Sequence, residues 1–314
     1  MSRKILVIIF AVLSLYGCRR DSPQQFYVGT NTTVSLYPNK IREMDCLGYY
    51  VIDIKTSDVG KIIAVDFSAL KIIDVSNGFH NWLKDCSSSG SMLVLDKLNN
   101  ALRIETLSAP PKPCVEIPLK GELDKAFDYA ISRNGKYCAV VYEKGIKLTV
   151  VAKSVTGSQA IYDYTMPAGY HYLDIDFQED IPVLLIGVAG KGTRSIIHFD
   201  GSHPEVKNLL FPDDNNYSGI ICGATDYFLC SCDAGNWPAP GGRIYSVSGE
   251  TSMDIPGESA HNLWSIAGGS GCVFYLEFRG MADTVIYAFN SQSRRKTRVI
   301  RINTLPYATG YMGN

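Results

Sequence analysis

The chain carries little net charge. Its 314 residues include 30 Lys and Arg against 31 Asp and Glu, for a formal charge of −1, and charged residues make up only 19% of the total. Proteins that bind nucleic acid through its phosphates carry a strong basic excess, so no nucleic acid is expected as a partner. Past residue 15 there is no apolar run long enough to span a bilayer. There is no Gly-x-Ser-x-Gly elbow, which argues against a hydrolase of that kind. No glycine-rich loop opens a helix, so dinucleotide and P-loop sites are excluded. Calcium-loop spacing is missing as well, and no cofactor or metal is expected. Beyond the N-terminus no segment of useful length shows a helical period. What remains is apolar and aromatic, with 46% hydrophobic residues, 28 Gly and 19 Tyr. That composition is too rich for a disordered chain.

The N-terminus stands apart. Arg3 and Lys4 precede an apolar run of eleven residues, Ile5 to Leu15. This is about half of the roughly 20 residues a spanning helix needs, and the layout is that of a secretory signal. The run ends Leu15-Tyr16-Gly17-Cys18, which resembles a bacterial lipobox, although Tyr16 is bulkier than the residue usual at its position. The resemblance implies cleavage before Cys18 and lipid attachment to its sulfur. The mature chain would then have 314 − 17 = 297 residues, with 28 basic against 31 acidic side chains and a charge of −3. The lipid would hold the protein at a membrane surface of the cell envelope, most simply the outer membrane, facing the periplasm or the exterior. The expected division is a lipoprotein signal over 1–17, a tether and possible closing strand over 18–36, and one folded body over 37–314.

Apart from Cys18, eight cysteines remain: 46, 86, 114, 138, 222, 230, 232 and 272. Export permits disulfides, and eight thiols leave on the order of 100 pairings open. Most lie in apolar runs, where a cysteine also serves as a small buried hydrophobe.

Six short β-rich runs recur at a fixed spacing. They begin at Leu47, Met92, Tyr137, Pro182, Tyr227 and Cys272, each 45 residues after the last. Ten residues before each start stands Tyr37, Trp82, Phe127, Tyr172, Tyr217 or Asn262, five of the six aromatic. Between the two positions lies a turn rich in Gly, Asn, Asp or Ser, such as Asn134-Gly135. A third and often a fourth strand follow in each unit. Four strands in about 45 residues match one blade of a β-propeller. The expected fold class is therefore all-β: a six-bladed β-propeller of four-stranded antiparallel blades. Stacking blades around an axis buries both apolar faces of each one. Gln25–Val28 or Thr33–Leu36 is expected to close the ring beside the last unit, leaving the basic run Arg294 to Arg301 on a charged outer strand.

The segment Ile131-Ser132-Arg133-Asn134-Gly135-Lys136-Tyr137-Cys138-Ala139-Val140-Val141 resembles the Ser-Pro-Asp-Gly-Lys-Tyr-x-Ala-Val signature of TolB-like and WD40-like propeller repeats. It differs at Arg133 and Asn134. The resemblance implies a ring with a central channel and transfers no catalytic residue. The Ser-x-Asp-x-Gly-x-x-Trp boxes of six-bladed sialidases are missing.

Propellers bind ligands where the blade-to-blade connections and the second-to-third strand loops converge. The longest such loop runs from Asp233 to Arg243 and carries Trp237, so Asp233, Trp237 and Arg243 are candidate ligand contacts. Asn81, His171, Asn216 and His261 each precede a unit's opening residue and are candidates for the channel mouth. Lys191, Arg194, Asp213, Asp214, Arg279 and Asp283 read as further loop charges, and Asp174, Asp176, Glu179 and Asp180 as a solvated acidic edge. The favoured expectation is a lipid-anchored envelope module that binds or scaffolds a protein, peptide or glycan. The alternative is a propeller enzyme, a hydrolase, lactonase or lyase, working through His171 and His261.

Overall fold

A computed structural model describes residues 22–107, 113–118, 126–188, 192–201, 203–211, 217–222, 227–232, 241–256, 263–269, 272–278, 283–290 and 293–312. In chain order, β1 (Gln24–Tyr27) and β2 (Thr33–Leu36) are followed by one short helix, α1 (Pro38–Glu43). Then come β3 (Tyr49–Lys55), β4 (Gly60–Asp66), β5 (Lys71–Asn77), β6 (Asn81–Cys86), β7 (Ser91–Asp96), β8 (Ala101–Thr106) and β9 (Pro113–Pro118). The middle of the chain forms β10 (Ala126–Ile131), β11 (Tyr137–Lys144), β12 (Lys147–Ser154), β13 (Gln159–Thr165), β14 (Tyr170–Gln178), β15 (Ile181–Val188), β16 (Thr193–His198) and β17 (Glu205–Leu210). The remainder forms β18 (Gly219–Cys222), β19 (Tyr227–Cys232), β20 (Gly241–Ser246), β21 (Thr251–Pro256), β22 (Leu263–Gly269), β23 (Cys272–Phe278), β24 (Thr284–Asn290), β25 (Arg295–Ile302) and β26 (Ala308–Met312).

These strands form six antiparallel sheets, the blades of a propeller. Blades two to five are the consecutive sets β6–β9, β10–β13, β14–β17 and β18–β21. The second strands begin within two residues of the starts expected from the 45-residue spacing. They are apolar on both faces because both are buried. In β7, Met92 and Val94 pack toward blade one, while Leu93 and Leu95 pack toward blade three. The core accordingly divides into six clusters, one at each junction of neighbouring blades around the ring. Each fully buried side chain of this size contributes about 1.5–3 kcal/mol.

The repeat's turn chemistry is visible in the Ser132 segment. The Ser132 Oγ accepts the Tyr137 N–H at 2.9 Å, and Asn134 Oδ1 accepts the Lys136 N–H at 2.8 Å. Gly135, at φ +70°, takes the left-handed position the turn needs. The same device recurs where Ser87 Oγ accepts the Ser91 N–H and Ser154 Oγ accepts the Ser158 N–H, each at 3.0 Å. Gly90 and Gly157 hold the positive φ in those two turns.

The N-terminal closing strand falls beside the last blade as expected, and a second closure, by the C-terminal end, goes beyond that expectation. The order of the first blade is β26-β3-β4-β5, so its innermost strand comes from the C-terminal end, with Gly310 opposite Val51. Tyr37 does not open a strand; it precedes α1. The N-terminal segment does join the last blade, as β2 pairs with β25 and β1 lies outside β2. The basic run is therefore no bare edge. Arg295 pairs with Glu43 of α1 at 2.6 Å, Arg301 with Asp283 at 2.8 Å, and the Lys296 ammonium sits 4.0 Å from the Tyr287 ring centre. Among the described residues, no helix is long and apolar enough to cross a membrane.

Candidate functional site

From β22 through β26, β6, β10 and β14 to β18, the first strands of successive blades contact one another around the axis. Four of them carry one extra residue, between Leu83 and Asp85, between Ala126 and Asp128, between Tyr172 and Asp174, and between Leu263 and Ile266. Such a bulge re-aims the side chain that follows it. In the first three that side chain is an aspartate. Asp85, Asp128, Asp174 and Asp176 all line a cavity of about 280 Å³ on the axis, together with Lys84, Arg133 and residues of β26.

These carboxylates tie blade to blade. Asp85 accepts its neighbour's N–H, from Cys86 at 2.7 Å, and that of Ile131 in the next blade at 2.8 Å. Asp174 does the same with Ile175 at 2.9 Å and Ile220 at 2.8 Å. Asp176 accepts from Phe177 at 2.7 Å and Cys222 at 2.6 Å. Asp128 accepts from the Tyr129 N–H and the Tyr172 hydroxyl, both at 2.8 Å. Between blades one and two, Asp53 accepts the Leu83 N–H at 3.0 Å and pairs with Lys55 at 2.5 Å. Three of these ties join residues 46 apart in sequence, one repeat plus one.

Two influences on their ionisation oppose each other. Accepted N–H bonds favour the carboxylate, and removal from water favours the acid. Burial is the larger. Together with the nearby Asp176 charge it raises Asp85 to about 8, and burial raises Asp176 to about 6. Asp174 is held well above the usual carboxylate range by burial and then by Asp128; burial also raises Asp128 and Asp53. The Lys84 ammonium is pushed the other way, downward, by burial. Asp85 in its acid form and Asp176 as carboxylate thus coexist in the cavity near neutral pH.

The acidic patch expected as a solvated edge is therefore corrected for Asp174 and Asp176: on a first strand, alternate residues face the axis, and both side chains enter the cavity. Glu179 and Asp180 do remain exposed in the following turn. Arg194 is likewise no loop charge. It is buried in β16, where its Nε donates to the Tyr217 carbonyl at 2.5 Å.

Of the candidate contacts, Asn81 is buried in a polar knot between blades one and two. Its amide nitrogen donates to Ser76 Oγ at 3.0 Å, and its oxygen accepts from Arg103 at 2.7 Å. Arg103 also pairs with Asp96 at 3.2 Å and Glu105 at 3.0 Å. His171 is exposed near the start of β14. Arg243 is partly buried in β20, opposite Ser231 and Asp254. Cys18, Asn216, Asp233, Trp237 and His261 lie outside the described residues. Among the described residues, no group of three or more His, Cys, Asp or Glu side chains is arranged to hold a metal. The inter-blade carboxylates were not among the sequence candidates. An aspartate on a first strand, one repeat plus one before an apolar residue of the next, is the signal that marks three of them.

The chain is a six-bladed β-propeller with a carboxylate-lined channel. Its fold is similar to that of TolB from Acinetobacter baumannii, at 10% identity and a TM-score of 0.57, over 85% of this chain and 66% of that one. A putative TolB from Agrobacterium tumefaciens matches at 14% identity and 0.54, over 80% and 87% of the two chains. A chain of the nidogen/laminin complex matches at 12% and 0.53, over 84% and 97%. No protein-family profile matches the chain, and no curated protein matches it in sequence. At these identities the likeness is one of fold.

Proposed function

We propose that this propeller is a lipid-anchored module of the bacterial cell envelope that binds or scaffolds a protein, peptide or glycan through one face of its ring. Cys18 would carry the lipid. The face is the one where blade-to-blade connections and second-to-third strand turns converge, called here the loop face. The supporting observation is how polar and apolar groups are divided. The axial carboxylates hold the blades together, with every oxygen of Asp85, Asp174 and Asp176 already accepting an N–H. Large apolar side chains, by contrast, stand exposed on the loop face, Phe79, Phe127 and Tyr307 among them. Exposed aromatics grouped on one face are the usual anchors of recognition. The first described strand, β1, lies at the outer rim of the last blade. An anchor entering there would grip the ring by its rim and leave the loop face accessible. Asp233, Trp237, Arg243, Asn216, His171 and His261 belong to this proposal as the remaining contacts.

Cross-linking in intact envelopes, followed by pull-down with the wild type and with Trp237→Ala, tests the binding role. A protein, peptide or glycan cross-linked to loop-face positions supports it, and cross-links confined to the opposite face refute it. For the anchor, Cys18→Ala should move the protein from the membrane to the soluble fraction. Unchanged membrane retention would rule out lipid attachment at Cys18.

A further inference from the structure

Among the described residues, most of the large apolar side chains left in solvent lie on one face of the ring. Phe79, Leu98, Phe127, Ile146, Leu305 and Tyr307 are between 40% and 74% exposed. Phe79 stands between β5 and β6, Leu98 between β7 and β8, and Ile146 between β11 and β12; Phe127 lies at the start of β10, and Leu305 and Tyr307 lie just before β26. Each is a blade-to-blade connection or a second-to-third turn, so the topology places all six on the loop face of blades one to three. The other exposed apolar residues are scattered. Tyr27, Ile161, Val206 and Leu210 sit on outer strands, and Leu47 is on the opposite face.

Cations are set among these side chains. Trp82 packs edge-on against Tyr307, with ring centres 4.2 Å apart, and its Nε1 donates to the Phe79 carbonyl at 2.8 Å. The Lys97 ammonium lies 3.3 Å from the Trp82 ring centre, and that of Lys84 lies 4.8 Å from the Tyr129 ring centre. Among the described residues, neither ammonium meets a carboxylate at ion-pair distance. Lys144 and Lys147, both exposed, flank Ile146. Among the described residues, the exposed acids opposing them on this part of the face are Asp58, whose oxygens already accept from Thr56 and the Asn31 N–H, and Glu143, while Lys84 also feels Asp128 and Asp53.

We propose that this patch docks an acidic segment of a partner protein, one that presents carboxylates beside an aromatic or large apolar side chain. The proposal rests on the reading that the loop face binds, and it names the partner's chemistry. The Lys97 ammonium, held over an aromatic ring, attracts an anion without first having to leave a carboxylate. The exposed rings and aliphatic side chains bury the apolar part. Lys84 lines the aspartate-rich cavity, so the docking cations of the patch are the exposed Lys97, Lys144 and Lys147.

The test uses the full-length protein in detergent and fluorescent synthetic peptides that carry Asp or Glu next to Trp or Phe. Matched peptides with Asn and Gln, and phosphatidylglycerol vesicles, are the other arms. The acidic peptides should bind at least about ten-fold more tightly than their amide counterparts, and Lys97→Glu or Phe127→Ser should weaken them about ten-fold. Both substitutions are at exposed positions, and a melting curve confirms that each variant is folded. Equal binding of the amide peptides, full affinity in Lys97→Glu, or no peptide binding overturns the proposal. Vesicle binding lost in Phe127→Ser, without peptide binding, would make the patch a membrane contact instead. Loss of peptide binding in Trp237→Ala alone would move the site to another part of the loop face and leave the binding role standing. Failure of that role shows separately, as the absence of loop-face cross-links in envelopes.

Discussion

Replacing Asp85 by Asn should change how the protein's stability depends on pH. In the folded ring Asp85 keeps its proton up to about pH 8, against an ordinary value of 3.8. Between these values the folded protein holds a proton that the unfolded chain has released. Folding then takes up a proton, so stability falls as pH rises through this window and levels off above about 8. One fully linked proton gives a slope of about 1.4 kcal/mol per pH unit, or about 2.7 kcal/mol from pH 6 to pH 8. Asp85 is partly open to cavity water, which reduces this to about 1–2 kcal/mol. Asp176, raised to about 6, acts mainly below that interval. An asparagine has no proton to exchange. Its one oxygen still accepts an N–H, but either Cys86 or Ile131 loses its acceptor, which costs about 1–3 kcal/mol at every pH. The variant should thus be less stable at pH 6, and the gap should narrow by about 1–2 kcal/mol by pH 8. Urea unfolding of both proteins, followed by tryptophan fluorescence at pH 6, 7 and 8, measures this. Curves that stay parallel across the three pH values would refute the assignment of a raised Asp85.

Three other outcomes test the ring. Met312→Ala empties a buried position of the closing strand between blades one and two and should cost about 2–5 kcal/mol in urea unfolding. Gly310→Val places a Cβ 2.5 Å from Cys86 Sγ, a contact that must be relieved by moving β26, and should lower stability by about 1–3 kcal/mol. Unchanged melting of either variant would argue against β26 as the inner strand of the first blade. Cys138 is buried with its thiol pushed up to about 12, and burial also raises the buried Cys222 far above its usual range. Iodoacetamide at pH 8 should leave both unmodified in the folded protein and label both in urea, as read by mass spectrometry.

Much of the architecture was legible in the linear chain because it rests on local rules. The second strands announce themselves at 45-residue intervals, since a strand buried on both faces reads as an unbroken apolar run, as in Met92 to Leu95 or Val183 to Ile186. The Ser132 to Tyr137 turn is legible for the same reason. Its serine, asparagine and glycine satisfy backbone groups within a few residues. All of that could be read one unit at a time.

Closure and the site could not be read that way. Ala308 to Met312 is a short stretch with a central glycine, and nothing local says that it pairs with β3, more than 250 residues earlier in the chain. Asp174 and Asp176 look like any polar positions alternating along a strand. Only the convergence of first strands on one axis turns them inward, where the N–H groups of the next blade meet them. Arg194 looks like a surface charge until the Tyr217 carbonyl closes over it. The apolar patch is scattered over five segments of sequence and becomes a surface only when the loops of three blades meet. The sequence alone therefore determined the repeating blade and its count, because strand pattern and turn chemistry are short-range. Tertiary structure decided which ends meet, which carboxylates face the channel and where the exposed apolar side chains gather, because each depends on residues a full repeat or more apart.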